Sequence, residues 1–137
     1  ISYKKFQNRG KQYVNDKGIA KTFNPINKEY YQKAINKMNQ MVDDPKFFVF
    51  TNDIEFAEKI TDGYDFTIVD QNLHDYEHFY LMSKCKHQVI INSTFSWWAA
   101  YLNQNTQKVI ICPKKWSGEK VINPYYDDLP EESWIKM

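Results

Sequence analysis

The sequence predicts an α/β fold: a parallel sheet of at least four strands with helices on both faces. Four short runs rich in aromatic and β-branched residues, Phe47–Phe50, Phe66–Val69, Val89–Ile91 and Lys108–Cys112, read as strands. They are continuous rather than alternating, as in strands covered on both faces. Helix-period stretches separate them at short intervals, which favours parallel crossovers over hairpins. The strand ends carry Thr51-Asn52-Asp53, Asp70-Gln71-Asn72, Asn92-Ser93-Thr94 and Cys112-Pro113-Lys114, all but the last rich in small polar groups. Ligands of open α/β sheets bind outside such carboxyl ends.

Taken in order, residues 1–24 are polar and lysine-rich, with Ile1, Tyr3, Phe6, Tyr13, Val14, Ile19 and Phe23 at no fixed period. A long lead-in loop is expected there, following a strand outside this sequence. From Asn24-Pro25 the pattern sharpens. Tyr30, Tyr31, Ala34, Ile35, Met38 and Met41 form one stripe, so a helix is expected over Lys28 to Met41, closed by Asp43-Asp44-Pro45. After the Phe47–Phe50 strand, Thr51-Asn52-Asp53 turns into a helix with Phe56, Ala57 and Ile60 inward, ending near Asp62-Gly63. Phe66–Val69 is the next strand. His74 to Lys86 reads as a helix with Tyr76, Phe79, Tyr80, Met82 and Ser83 on or near its buried side. The stretch from Gln88 to Asn103, QVIINSTFSWWAAYLN, is a buried strand, a polar turn and a helix N-terminus, whose amides and dipole suit an anion. Asn, Ser and Thr are also ordinary N-cap residues. The last strand stops at Pro113, and the remainder is expected to be loop and short helical turns, with Trp116, Tyr125, Tyr126 and Trp134 packing onto the sheet.

Composition narrows the function. The 137 residues fit one domain. A net charge of +1 and a single arginine, Arg9, disfavour nucleic-acid binding despite the aromatics. Cys85 and Cys112 lack any CxxC or His/Cys company, so two reduced thiols of a cytosolic protein are expected. No apolar run reaches membrane-spanning length, and a soluble chain is expected. Asn92-Ser93-Thr94 fits the N-glycosylation pattern by coincidence, since it falls in a strand-end turn. His74 and His78 share a helix face at metal-ligand spacing, but without a third ligand they are expected to be solvated, and no metal is expected.

Met82-Ser83-Lys84-Cys85-Lys86-His87 leading into Asn92-Ser93-Thr94-Phe95-Ser96-Trp97-Trp98-Ala99-Ala100-Tyr101-Leu102-Asn103 resembles the signature of the α-1,2-fucosyltransferases of glycosyltransferase family 11. Phe48-Val49-Phe50-Thr51-Asn52-Asp53-Ile54-Glu55-Phe56-Ala57 is similar to a second motif of that family, and Pro113-Lys114-Lys115-Trp116 and Glu132-Ser133-Trp134-Ile135 to its C-terminal portion. The double-Trp segment is the specific part. The resemblance covers residues 25–137 and implies a Rossmann-like GDP-sugar-binding lobe, the C-terminal lobe of a metal-independent transferase of the GT-B kind. It implies GDP-fucose as donor substrate, no cofactor, a sugar hydroxyl as acceptor, and inversion to an α-1,2 linkage. It places donor contacts at Thr51, Asn52 and Asp53, at Asn92, Ser93, Thr94, Phe95 and Ser96, and more loosely at His87. A cytoplasmic location at the inner face of a bacterial membrane, with peripheral membrane association of the longer parent, accords with it.

The departures bear on activity. The family's His-x-Arg-Arg-Gly-Asp motif supplies an arginine for the leaving diphosphate, and Asn8-Arg9-Gly10 is not a version of it. This chain is therefore expected to be a donor lobe that is inactive alone, and no catalytic base can be assigned. Asn52 stands where the family often has an acid. An uncovered sheet edge would favour a homo-oligomer. The alternative is a non-catalytic α/β nucleotide-binding or protein-interaction module. In the helix that follows Asn92-Ser93-Thr94, ligand contact is expected of Phe95, while Trp97 and Trp98 face opposite ways and at least one anchors the helix.

Overall fold

A computed structural model describes residues 26–116 and 128–137, together with the backbone of residues 2 and 3. Arg9, Tyr125 and Tyr126 lie outside the described residues. The chain order is β1 (Ser2–Tyr3), α1 (Lys28–Met41), β2 (Phe47–Thr51), α2 (Ile54–Thr61), β3 (Phe66–Ile68), α3 (Asp75–Lys84), β4 (Gln88–Val89), α4 (Thr94–Tyr101), β5 (Ile110–Cys112) and β6 (Ile135–Lys136).

Every described strand pair is parallel, as expected. Among the described residues the strands do not join into one sheet of four or more. They form two three-stranded sheets, ordered β1-β2-β3 and β4-β5-β6. β2 is flanked by β1 through Ser2↔Phe50 and by β3 through Phe47↔Phe66. β4 pairs with β5 over Gln88 and Val89. Two short strands escaped the sequence reading: β1 lies in the expected lead-in loop, and β6 in a tail expected to hold only loop and helical turns.

Among the described residues four clusters of buried side chains pack the helices against the two sheets. Along β4 and β5 side chains alternate in direction. Val89 and Ile111 pack against Ala34 and Met38 of α1. Ile90, Ile110 and Cys112 point the other way, into Ala100, Trp97, Trp116 and Trp134. Helix α1 also shares Tyr31 with Ile60 of α2 and Ile91 beyond β4. Phe50, Met82 and Ala99 tie β2 to α3 and α4.

Burial departs from expectation at three places. Phe48 is 46% exposed, because α3 covers Phe50 on that side of β2 and leaves the amino half open. On α3, Tyr76 and Tyr80 are 69% and 59% exposed, whereas His78, expected to be solvated, is 7% exposed. Met41, at the end of the α1 stripe, is 46% exposed. Trp98 is exposed and Trp97 partly buried, with its indole N–H donating to the carbonyl of Leu129, so Trp97 is the anchor.

Candidate functional site

The turn from β4 into α4 is built from its own small residues. Ser93 N–H folds back on the Ile91 carbonyl at 2.8 Å. Ser96, fully buried, donates its hydroxyl to the carbonyls of Ile91 and Ser93 at 3.3 and 3.1 Å. Asn92 donates its amide to the Trp116 carbonyl at 3.2 Å, pinning the turn to the segment after β5. Ser93 occupies the N-cap position in extended geometry with no side-chain cap bond, and Thr94 is exposed. First-turn N–H groups of a helix have no acceptor within the helix itself, so the positive end of α4 is of the kind that suits an anion.

The turn from β2 into α2 has a different economy. Thr51, 3% exposed, accepts from the Asp53 N–H at 2.9 Å. The Asp53 carboxylate accepts from the Phe56 N–H at 3.1 Å and caps α2, the ordinary task of an aspartate there. Asn52 is exposed between them.

A third wall comes from the loop between β3 and α3. Asp70 Oδ1 accepts from the backbone and side-chain amides of Asn72 at 2.9 and 3.0 Å. Gln71 Nε2 donates to the Val69 carbonyl at 2.7 Å. His78 Nε2 lies 2.8 Å from the Asp70 carbonyl; a carbonyl only accepts, so that nitrogen carries the proton.

Between these walls is a pocket of about 190 Å³, lined by Phe50, Thr51, Asn52, Gln71, Leu73, Asp75, His78, Met82 and Phe95. It lies at the carboxyl ends of β2 and β3. Phe95, edge-on to Phe79 at 5.4 Å, is where the β4–α4 turn meets it. The structure thus brings Thr51, Asn52 and Phe95 together. Gln71, Leu73, Asp75 and His78 join them without having been assigned to the donor site from the sequence. The Asp70-Gln71-Asn72 strand end was a signal for Gln71; Asp75 and His78 lay inside a helix whose buried side was read correctly at Phe79 and Met82 but not at Tyr76, His78 and Tyr80. The pocket is smaller than the ~300–1,000 Å³ of a whole ligand site, so it suits one ring of a larger ligand. Its lining includes one acid and no lysine or arginine among the described residues. Such a cup can hydrogen-bond neutral polar groups, while an attached anion would rely on helix-end amides.

His87 is placed elsewhere. It stands just before β4, at the amino end of the strand, and Nδ1 accepts from the Val109 N–H at 3.0 Å. Burial, with the adjacent Lys86 charge, holds its pKa below the ordinary value, which suits a neutral acceptor. It lines a larger groove of about 810 Å³ with Phe47, Phe48, Leu81 and Lys84. That groove is the roomier concavity; it runs along β2 and β3 from Phe47 to Asp70 and includes none of Thr51, Asn52, Asp53, Asn92, Ser93 and Thr94. His74 is stacked on Tyr76 while His78 turns inward, so the two histidines do not converge.

The chain matches the model of glycosyl transferase family 11 over residues 8–137. It is 32% identical over 129 residues to the O-antigen biosynthesis glycosyltransferase WbnK of Escherichia coli, covering 91% of this chain and 41% of that protein. It is 28% identical over 130 residues to an alpha-1,2-colitosyltransferase of Escherichia coli, covering 91% of this chain and 44% of that protein. The chain therefore spans under half the length of these curated relatives. No solved structure matches it.

Proposed function

The chain belongs to glycosyl transferase family 11, and from that premise we propose that it is the donor-binding part of an inverting transferase that moves fucose from GDP-fucose to a sugar hydroxyl in α-1,2 linkage. The observation that supports this most is the polar pocket at the strand carboxyl ends, where Thr51, Asn52 and Phe95 meet beside the N-terminus of α4. The cup would take one ring of the donor. The first-turn amides after Ser93 would take phosphate oxygens, with Thr94 as the exposed hydroxyl beside them. Ser96 and Asn92 would act by shaping the turn, since their side chains serve backbone carbonyls. Asp53 holds α2 in place. His87, at the other end of the strands, takes no part in this arrangement.

Glycosyl transfer with inversion needs the departing diphosphate stabilised and the acceptor hydroxyl deprotonated. The α4 N-terminus supplies part of the first. No cation lines the described pocket, so the larger share belongs to a charged donor outside it, and this chain alone would bind donor without turning it over. No metal or cofactor enters the proposal; the acceptor is a glycan, and the acting protein is the longer parent.

Calorimetric titration tests this with GDP, GDP-fucose and ADP on the unsubstituted chain and on Ser93→Ala with Thr94→Ala. Guanine-selective binding weakened at least about tenfold in the double variant supports a donor lobe. Equal affinity for ADP, or binding indifferent to both substitutions, contradicts it. The colitosyltransferase relative makes a colitosyl donor the useful competitor to GDP-fucose in the same titration.

A further inference from the structure

His78 differs from every other side chain on α3 in what it connects. It is a polar group only 7% exposed. Its ring reaches back eight residues to donate to the Asp70 carbonyl at 2.8 Å. The same ring meets Phe50 edge-on, with centroids 6.0 Å apart. Phe50 immediately precedes Thr51 at the end of β2, and Asp70 opens the loop beyond β3. One buried side chain therefore touches both strand ends whose turns form facing walls of the small pocket, and itself lines that pocket. The other bonds seen in the loop are local: Asn72 to the Asp70 carboxylate, and Gln71 to the Val69 carbonyl. They give the loop its shape. His78 gives it a position relative to the rest of the fold.

We propose that His78 is a positioning residue for the ligand of this pocket. By holding the Asp70 carbonyl it sets the distance between the Gln71–Leu73 wall and the Thr51–Asn52 wall, and so sets affinity without performing chemistry. The identity of the ligand rests on the donor-site proposal above; the anchoring of the loop does not.

The test combines amide hydrogen exchange with GDP titration on the full chain. His78→Leu keeps apolar bulk and removes the donor. His78→Gln places an amide N–H close to where Nε2 stood. In His78→Leu, exchange at residues 71–73 should speed up about tenfold while amides of α1 and β5 keep their protection, and GDP affinity should fall about tenfold. His78→Gln should restore both. A uniform rise in exchange over the whole chain, or no change at residues 71–73, overturns the proposal, as does a glutamine variant indistinguishable from leucine. Should His78→Leu not fold, His78→Asn, whose amide is one bond too short, replaces it in the comparison. Failure of the unsubstituted chain to bind GDP contradicts the donor-site proposal, and the exchange pattern alone then decides the anchor.

Discussion

Pro113 leaves a gap in the β4–β5 ladder that another side chain fills. Ile90 N–H donates to the Ile111 carbonyl at 2.9 Å. In a parallel ladder the Ile90 carbonyl would next accept from position 113, where proline has no N–H. Tyr30 of α1 supplies that bond, its hydroxyl donating to Ile90 O at 2.6 Å. Burial raises the Tyr30 pKa well above its ordinary value, so the phenol keeps the proton it donates. Tyr30→Phe should lower the unfolding free energy by about 1–3 kcal/mol in urea titration, because a buried carbonyl loses its donor. A second residue-scale consequence concerns pH. His87 has a folded pKa below its ordinary 6.5, so the unfolded chain takes up this proton more readily than the folded one. Its contribution to stability is complete above the unfolded value and is lost as pH falls from there toward the lower folded value. His87→Asn puts a non-titrating amide oxygen near the Nδ1 position, and urea midpoints should then fall less steeply between about pH 6.5 and pH 5 than in the unsubstituted chain.

At the scale of elements, legibility followed the strength of the periodic signal. Helix α1 spans Lys28–Met41 as its stripe predicted, because Tyr31, Ala34, Ile35 and Met38 all point into one core and Asn27 caps the start. Helix α3 was legible as a helix, and in its facing only at Phe79 and Met82. Aromatic side chains suggested an inner face, yet Tyr76 and Tyr80 are exposed and the polar His78 is buried, its donor satisfied by a carbonyl that no sequence pattern reveals. Strand β6, two residues long, is held by β5 through Ile111↔Ile135 and by tertiary contacts rather than by any pattern of its own. Helix α4 shows both cases in adjacent residues. Trp97 packs between Tyr101, stacked at 5.0 Å, and Trp134 at 5.9 Å, and donates to Leu129, whereas Trp98 is 49% exposed. Trp97→Ala should lower stability by about 3 kcal/mol or more, and Trp98→Ala by less than about 1 kcal/mol, read from denaturant midpoints at matched slopes.

Over the whole molecule, the candidate site was half legible. The three polar strand ends announced themselves as small hydrogen-bonding residues closing apolar runs, although Asp53 caps a helix and Asn92 ties a turn there. Which of them face one cavity depends on strand order, and order is set by pairing partners that composition does not encode. The two three-stranded sheets bring the β2 and β3 ends around the small pocket, with Phe95 reaching it from the β4 side. They leave His87 at the amino end of β4, in a larger groove that runs along β2 and β3 from Phe47 to Asp70. Among the described residues no helix is long and apolar enough to cross a membrane. These two concavities make opposite claims on a ligand, and amide chemical-shift mapping of the chain titrated with GDP separates them most directly. Shifts concentrated at residues 51–53, 71–75 and 93–96, with His87 and Val109 unmoved, are the outcome expected of a donor site at the strand carboxyl ends. Shifts concentrated at residues 42–48 and 84–89, with the Ser93–Thr94 turn silent, would contradict it.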